Sequence, residues 1–367
     1  MPAPSYAELM HLGIMDGLRR EISYAVGRKA DGDVKRMASA AQAWALGSGL
    51  LVGIAMLAVA MIRFFSGARL ESLGWLSGSI VAATSPYMRS YLGSLYRTGG
   101  DFTRLSAINV TQNTLSFVAT TFVLLFQFAG LCIRTVTVTL VEAYLLHRYR
   151  PVRVRPKWDG PGIRKLWLIG APIFGAGVLQ VAWTAIDSIL VLAFFGTEGF
   201  GIYSLVLMVS TVLGILPDAV SQVTYPRMVE EYGRSGDLRL VYSHILTSAA
   251  MLVAFTAVLA GASWYMMTPT IQFLFPKYIA GAEAAQWALI PVVFRSLLPI
   301  GNVFFVTKQS SRFALSVLLG MAAYGIFFAL TVGHGENLVV MSQSWTIGRA
   351  VQLAAVLFLM PKTGSKT

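Results

Sequence analysis

Leu213-Gly214-Ile215 repeats the triplet Leu12-Gly13-Ile14 at an offset of 201 residues. Ser23-Tyr24 recurs as Thr224-Tyr225 at the same offset, and Gly32-Asp33 as Gly236-Asp237 at 204, so the second copy has gained three residues. Each copy then enters a long apolar segment. The second is preceded by about fifty hydrophobic residues, whereas the first begins at the start of the chain. The repeat therefore predicts two similar halves, with two further helices expected before Met1 in a six-plus-six whole.

Composition places these halves in a membrane. Hydrophobic residues are 56% of the 367, and 13% are charged. A soluble domain carries about 25% charged residues. The mean hydropathy is +0.64. The apolar runs are about twenty residues long, which suits helices crossing a bilayer, and too long and uniformly apolar for barrel strands. The pattern predicts ten helices, at 38–62, 75–96, 105–126, 128–146, 165–195, 199–222, 242–265, 282–305, 312–332 and 337–360. Residues 1–18 lack the charged leader and apolar core of a signal peptide and read as the last turns of a membrane helix.

Loop charge fixes the expected orientation. Alternate loops hold 22 and 3 basic residues, with the tight turns near Gln127, Gly196 and His334 holding none. That is the positive-inside pattern. It predicts a multi-pass protein of the cytoplasmic (inner) membrane, with the 1–37 segment and the C-terminus both cytoplasmic. The net charge of +12 is thereby assigned to orientation and to anionic membrane lipids rather than to nucleic acid. The densest basic stretch, from Arg148 to Lys165, also holds Pro151, Pro156, Gly160, Pro161 and Gly162, which prevent one continuous helix. It divides the chain into an N-terminal bundle at 1–150, a cytoplasmic linker at 151–162 and a six-helix bundle at 163–367. Parallel repeats of this kind recur in transporters that alternate access to a site between lobes.

The second half then carries a family likeness. Lys165-Leu166-Trp167-Leu168-Ile169-Gly170-Ala171-Pro172 opens it. Ile186-Asp187, the run from Phe194 to Ser204, Leu216-Pro217, Tyr225-Pro226-Arg227 and the run from Gly233 to Asp237 follow in order. This series resembles the polysaccharide biosynthesis proteins, the O-antigen and exopolysaccharide flippase branch of the multidrug/oligosaccharidyl-lipid/polysaccharide exporter superfamily. The resemblance implies an all-α membrane fold of two pseudo-symmetric helix bundles around a cavity. It also implies transfer of an undecaprenyl-pyrophosphate-linked oligosaccharide between leaflets. The lipid-linked oligosaccharide is the implied partner, with polysaccharide polymerase and chain-length proteins beside it. Two alternatives stand next to this reading: a cation-coupled multidrug exporter of the same fold, and an inactive membrane partner of a polysaccharide assembly complex.

Charges inside apolar helices are costly and mark candidate sites. Arg295 and Arg349 lie near the middle of their helices, and Arg89 lies nearer a helix end. A guanidinium fork matches pyrophosphate oxygens, so these three are the expected head-group ligands; an ion pair with Asp187 is the competing expectation for Arg295 and Arg349. Arg134 reads as an interface anchor and Glu142 as a partner for loop arginines. Asp187 is open to three roles: pairing with an arginine, binding a coupling cation or accepting a proton. Asn109, Gln112 and Asn113 share one helix face, suited either to sugar hydroxyls or to interhelical hydrogen bonds. Pro172 and Pro217 remove amide donors and predict kinks or hinges.

No enzyme chemistry is legible. Cys132 is the single cysteine, and His11, His147, His244 and His334 are scattered, so neither a disulfide nor a metal cluster is expected. Gly27-Arg28 and Gly233-Arg234 lack the lysine and the strand-to-helix setting of a phosphate loop. No cofactor is expected.

Overall fold

The computed structural model describes residues 11–332 and 338–361, apart from the side chain of His244. The turn at His334 and the tail lysines Lys362 and Lys366 lie outside them. Among the described residues every regular element is helical. In order they are α1 (Ile14–Gly27), α2 (Asp31–Phe65), α3 (Arg69–Ser85), a π-helical segment (Pro86–Leu92), α4 (Gly93–Thr98), α5 (Phe102–Val118) and α6 (Thr120–Arg148). Then come α7 (Gly160–Ser235), α8 (Leu238–Leu274), α9 (Ala282–Trp287), α10 (Leu289–Arg295), α11 (Asn302–Val306), α12 (Ser310–Thr331) and α13 (Val339–Leu359). Short 3₁₀ segments at Pro276–Gly281 and Leu298–Gly301 join the pieces of one composite span.

Among the described residues six segments are long and apolar enough to cross a membrane, and two of them turn back on themselves. In α6 the break is Gln127, at φ 50° and ψ −120°. The Phe122 carbonyl then lies against Gly130, which a straight helix would hold about 12 Å away. In α7 the break is Gly196, at φ 66° and ψ −171°. There the Tyr203 hydroxyl reaches Asp187, sixteen residues earlier, at 3.1 Å. These are the two uncharged tight turns expected from the sequence. Glycine tolerates positive φ without penalty, which explains Gly196; Gln127 adopts it as a side-chain-bearing residue.

The chain divides into two compact units, Met1–Ala171 and Pro172–Thr367. The first turns of α7 belong to the first unit, because Leu166 packs in its core with Ile14, Met15 and Leu18 of α1. Many large apolar residues face outward. On α2, Ala38, Ala41 and Ala45 are fully buried, whereas Leu50, Leu51 and Ile62 are exposed. Phe117, Leu124, Tyr265, Phe273 and Phe358 are each more than 80% exposed. Such an exterior would aggregate in water and is at home in lipid, where close packing of small residues holds helices together.

Two expectations about local structure change. Helix continues through Gly27, beyond the expected end at residue 18, and Arg20 within it is buried beside Glu21, to which Lys165 also pairs at 3.5 Å. One of the basic residues assigned to the loop is therefore structural. The helix expected at 75–96 runs instead from Arg69 to Thr98 through the π segment, whose first residue, Pro86, brings no amide donor to the helical ladder. Pro172 and Pro217 both lie inside helical limbs of α7, and Gly196 is the residue whose backbone departs from helix there.

The segment after the last helix of each unit docks on the start of its long helix. In the first unit the Ser39 hydroxyl donates to the Arg155 carbonyl at 2.5 Å, and the Lys157 amide donates to the Ser39 carbonyl at 3.3 Å. In the second, the Tyr242 hydroxyl donates to the Pro361 carbonyl at 2.8 Å. Ser39 and Tyr242 lie 203 residues apart, one short of the offset of 204 read from the repeat.

Candidate functional site

The second unit contains a polar groove inside an otherwise apolar bundle. Four helical stretches supply it at helical spacing. The first limb of α7 presents Gln180, Thr184 and Asp187; the second presents Tyr203, Ser210, Asp218 and Ser221. Arg295 ends α10, and α13 presents Ser342, Trp345 and Arg349. The groove comprises two adjoining cavities of about 120 and 330 Å³ that share Thr184, Arg295 and Arg349. The larger falls in the range of small-molecule sites.

Arg349 is 7% exposed and is held without a contacting carboxylate among the described residues. Its Nη1 donates to Gln180 Oε1 at 2.9 Å and to Gln352 Oε1 at 2.7 Å. Its guanidinium lies 4.4 Å from the Trp183 ring centre and 4.7 Å from that of Trp345. These two rings stack at 4.7 Å with 9° between their planes. Neutral acceptors and aromatic faces stabilise a cation without cancelling its charge. The platform depends on close helix approach. A Cβ on Gly348 would sit 2.7 Å from the Trp183 ring and 2.9 Å from the Gly320 carbonyl oxygen, so bare backbone at that crossing lets α12, α13 and Trp183 meet.

Arg295 is held differently. Its Nη2 donates to both carboxylate oxygens of Asp218, at 3.0 and 2.8 Å. Beside them the Asn302 amide donates to the Ser221 hydroxyl at 2.8 Å. Both members of the ion pair are partly exposed, Arg295 by 35% and Asp218 by 57% of the side chain, so the pair contributes little stability and is open to competition.

Asp187 is fully buried. It accepts from the Tyr324 hydroxyl at 2.8 Å and from the Tyr203 hydroxyl at 3.1 Å, with the Trp345 side chain as a further partner. It lines the same cavity as both arginines but forms a salt bridge with neither among the described residues. The expected ion pair of Asp187 with Arg295 or Arg349 is thus not the arrangement found: Arg295 takes Asp218 instead, and tyrosines satisfy Asp187.

Comparison with known proteins agrees with this architecture. A family model described as polysaccharide biosynthesis protein matches residues 22–277. The chain belongs to this family. Among curated proteins none matches. Among solved structures, a multidrug resistance MATE family transporter of the MOP superfamily in its outward-facing conformation aligns with TM-score 0.80 at 14% identity. The alignment covers 97% of this chain and 84% of that one. The Vibrio cholerae MATE transporter VcmN in the bent form aligns with TM-score 0.76 at 15% identity, covering 98% and 85%. A MOP superfamily transporter from Pyrococcus furiosus, reported with a binding pocket of reverse polarity that suggests a different function, gives TM-score 0.72 at 14% identity, covering 97% and 83%. At these identities the likeness is one of fold. The chain is a multi-pass helical membrane protein of a polysaccharide biosynthesis family, with the fold of these transporters.

Of the other residues singled out from the sequence, Pro217 lines the larger cavity of the groove, Pro172 lies elsewhere in the second unit, and the rest lie in the first unit. Arg89 is exposed within the π segment; Asn109 and Asn113 are exposed on α5. Arg134 donates to the Ser116 carbonyl at 3.0 Å and to its hydroxyl at 2.6 Å, tying α5 to the second limb of α6. Pro217 is buried next to Asp218, and Pro172 is exposed. Among the groove residues not foreseen are Gln180, Trp183, Thr184, Tyr203, Ser210, Asp218, Ser221, Tyr324, Ser342, Trp345 and Gln352. A usable signal was present for several of them: Ser342, Trp345, Arg349 and Gln352 recur at steps of three or four along one apolar helix, as do Gln180, Thr184 and Asp187.

Proposed function

We propose that this protein flips a lipid-pyrophosphate-linked oligosaccharide across the cytoplasmic membrane, with Arg349 and Arg295 receiving the pyrophosphate. The observation that carries this reading is the state of Arg349: a buried guanidinium aimed into a groove, supported by neutral partners and uncancelled by any contacting carboxylate. Such a cation is prepared for an anionic ligand. Arg295 adds a second fork, released when the ligand's oxygens displace Asp218. The stacked indoles and the row of Gln, Ser and Thr groups suit sugar rings and hydroxyls. Undecaprenyl as the lipid, and the orientation with basic loops in the cytoplasm, are part of the same proposal.

Binding by the purified full chain tests it. Undecaprenyl-pyrophosphate-linked oligosaccharide should bind, compete with inorganic pyrophosphate and lose affinity about tenfold or more in Arg349→Ala, since a charge-assisted contact is worth roughly 1.5–3 kcal/mol. Binding of the lipid-linked sugar unaffected by Arg349→Ala and Arg295→Ala together would refute the assignment.

A cation-coupled drug exporter is the second reading, favoured by one observation: Asp187 is buried in the same groove. Drug-like organic cations binding in an Asp187-dependent manner, with no affinity for the pyrophosphate lipid, would favour that reading.

A further inference from the structure

The first unit holds a second cavity, of about 680 Å³, at the foot of α2 and lined by residues of the 154–159 segment. Val152 and Val154 pack on the core, whereas Arg153, Arg155 and Lys157 are exposed. From α2, Lys35 and Arg36 complete the lining. The acid among the lining residues, Asp159, is engaged by Arg36 Nε at 2.8 Å and by the Gly162 amide at 3.2 Å. Lys35, Arg155 and Lys157 form no salt bridge among the described residues, leaving three positive charges around one hollow. Trp158 borders it, 64% exposed and set against Trp44 at 6.1 Å between ring centres. Beyond Trp44 the exposed face of α2 turns apolar, at Leu46, Leu50 and Leu51. The hollow therefore lies where a charged surface gives way to a lipid-facing one, and tryptophan favours that level.

We propose that this hollow is a binding site for the phosphodiester headgroup of an anionic phospholipid, separate from the transport groove. Lys35, Arg155 and Lys157 surround the phosphate, Trp158 lies along the glycerol and upper chains, and the acyl chains follow the apolar face of α2. Because Arg155 and Lys157 belong to the segment docked on Ser39, a bound lipid would hold that segment to α2. A soluble phosphate would need the same cations but neither the exposed Trp158 nor the apolar continuation, so those two features select the membrane lipid.

Native mass spectrometry of the full chain tests this, using phosphatidylglycerol, phosphatidylcholine and inorganic pyrophosphate as separate probes. Phosphatidylglycerol should be retained preferentially over phosphatidylcholine. Its apparent affinity should fall about a hundredfold in the triple variant Lys35→Ser, Arg155→Ser, Lys157→Ser, at roughly fivefold per charge. The charge-matched variant Arg28→Ser, Lys29→Ser, Arg104→Ser should stay near wild type. Should the triple variant not fold, Lys157→Glu serves, with about a tenfold loss or more expected. Brominated phosphatidylglycerol in nanodiscs locates the lipid: it should quench the part of the fluorescence that Trp158→Phe removes, more than brominated phosphatidylcholine does. Equal losses in the two triple variants, or no preference for the anionic lipid, would overturn the proposal. Displacement of phosphatidylglycerol by millimolar pyrophosphate would overturn it in favour of a soluble anion.

Discussion

Arg295 and Arg349 occupy one groove but are prepared in opposite ways. Arg295 rests against a half-exposed carboxylate that a ligand can replace, while Arg349 is fixed by Gln180, Gln352 and two indole faces. Variants should separate the two roles. If Asp218 competes with the substrate's phosphate for Arg295, Asp218→Asn should bind inorganic pyrophosphate several-fold more tightly than wild type, whereas Arg295→Ala should bind it less tightly; isothermal titration reads both. Arg349→Lys keeps a charge but loses the planar fork and its stacking, and transport should fall about tenfold with the protein still folded. Arg349→Ala should also reduce thermal stability, by about 1–3 kcal/mol, because it strips the Gln180 and Gln352 oxygens of their donor. The sequence made the arginines and Asp187 conspicuous, since charges stand out in apolar runs. It hid Trp183, Trp345, Tyr203 and Tyr324, because aromatics within such runs read as ordinary packing. Asp218 escaped notice because it follows Pro217 near the basic loop, where an acid looks like a loop residue.

At the scale of elements, helices were legible wherever apolar length alone determines them, and the uncharged turns at Gln127 and Gly196 were legible from loop charge. The π segment was not, because its geometry arises from packing around Pro86 and not from periodicity. Backbone conformation at the turns makes a sharp prediction. Gln127 holds φ 50°, which disfavours a side chain, so Gln127→Gly should stabilise the protein by about 1 kcal/mol in a thermal unfolding assay. At the α12–α13 crossing the sign reverses: Gly348→Ala forces Gly320 and Trp183 apart and should destabilise by about 1–3 kcal/mol, while weakening pyrophosphate binding through the displaced indole platform. The docked 151–159 segment adds a pH test. Its Asp159 carboxyl is held below the usual 3.8, chiefly by the hydrogen bond from Arg36 and then by that from the Gly162 amide. A depressed carboxylate contributes fully above its unfolded value and is lost as pH falls through the folded one. The segment should therefore resist trypsin equally at pH 8 and pH 6, whereas Asp159→Asn should expose Arg153 and Lys157 to cleavage already at neutral pH.

The chain is a set of helices that show many large apolar residues on their outer faces, with a polar groove in the second unit. The family match and the fold likeness make the chain a transporter-fold member of a polysaccharide biosynthesis family; what it carries follows, in our account, from the cation at Arg349. The decisive measurement is translocation of undecaprenyl-pyrophosphate-linked oligosaccharide in proteoliposomes containing the full chain, read as the fraction accessible to a membrane-impermeant sugar-modifying reagent over time. The account predicts transfer by the wild type and at least a tenfold lower initial rate for Arg349→Ala, with equal protein incorporated. Wild-type transfer rates in the Arg349→Ala, Arg295→Ala double variant would contradict it.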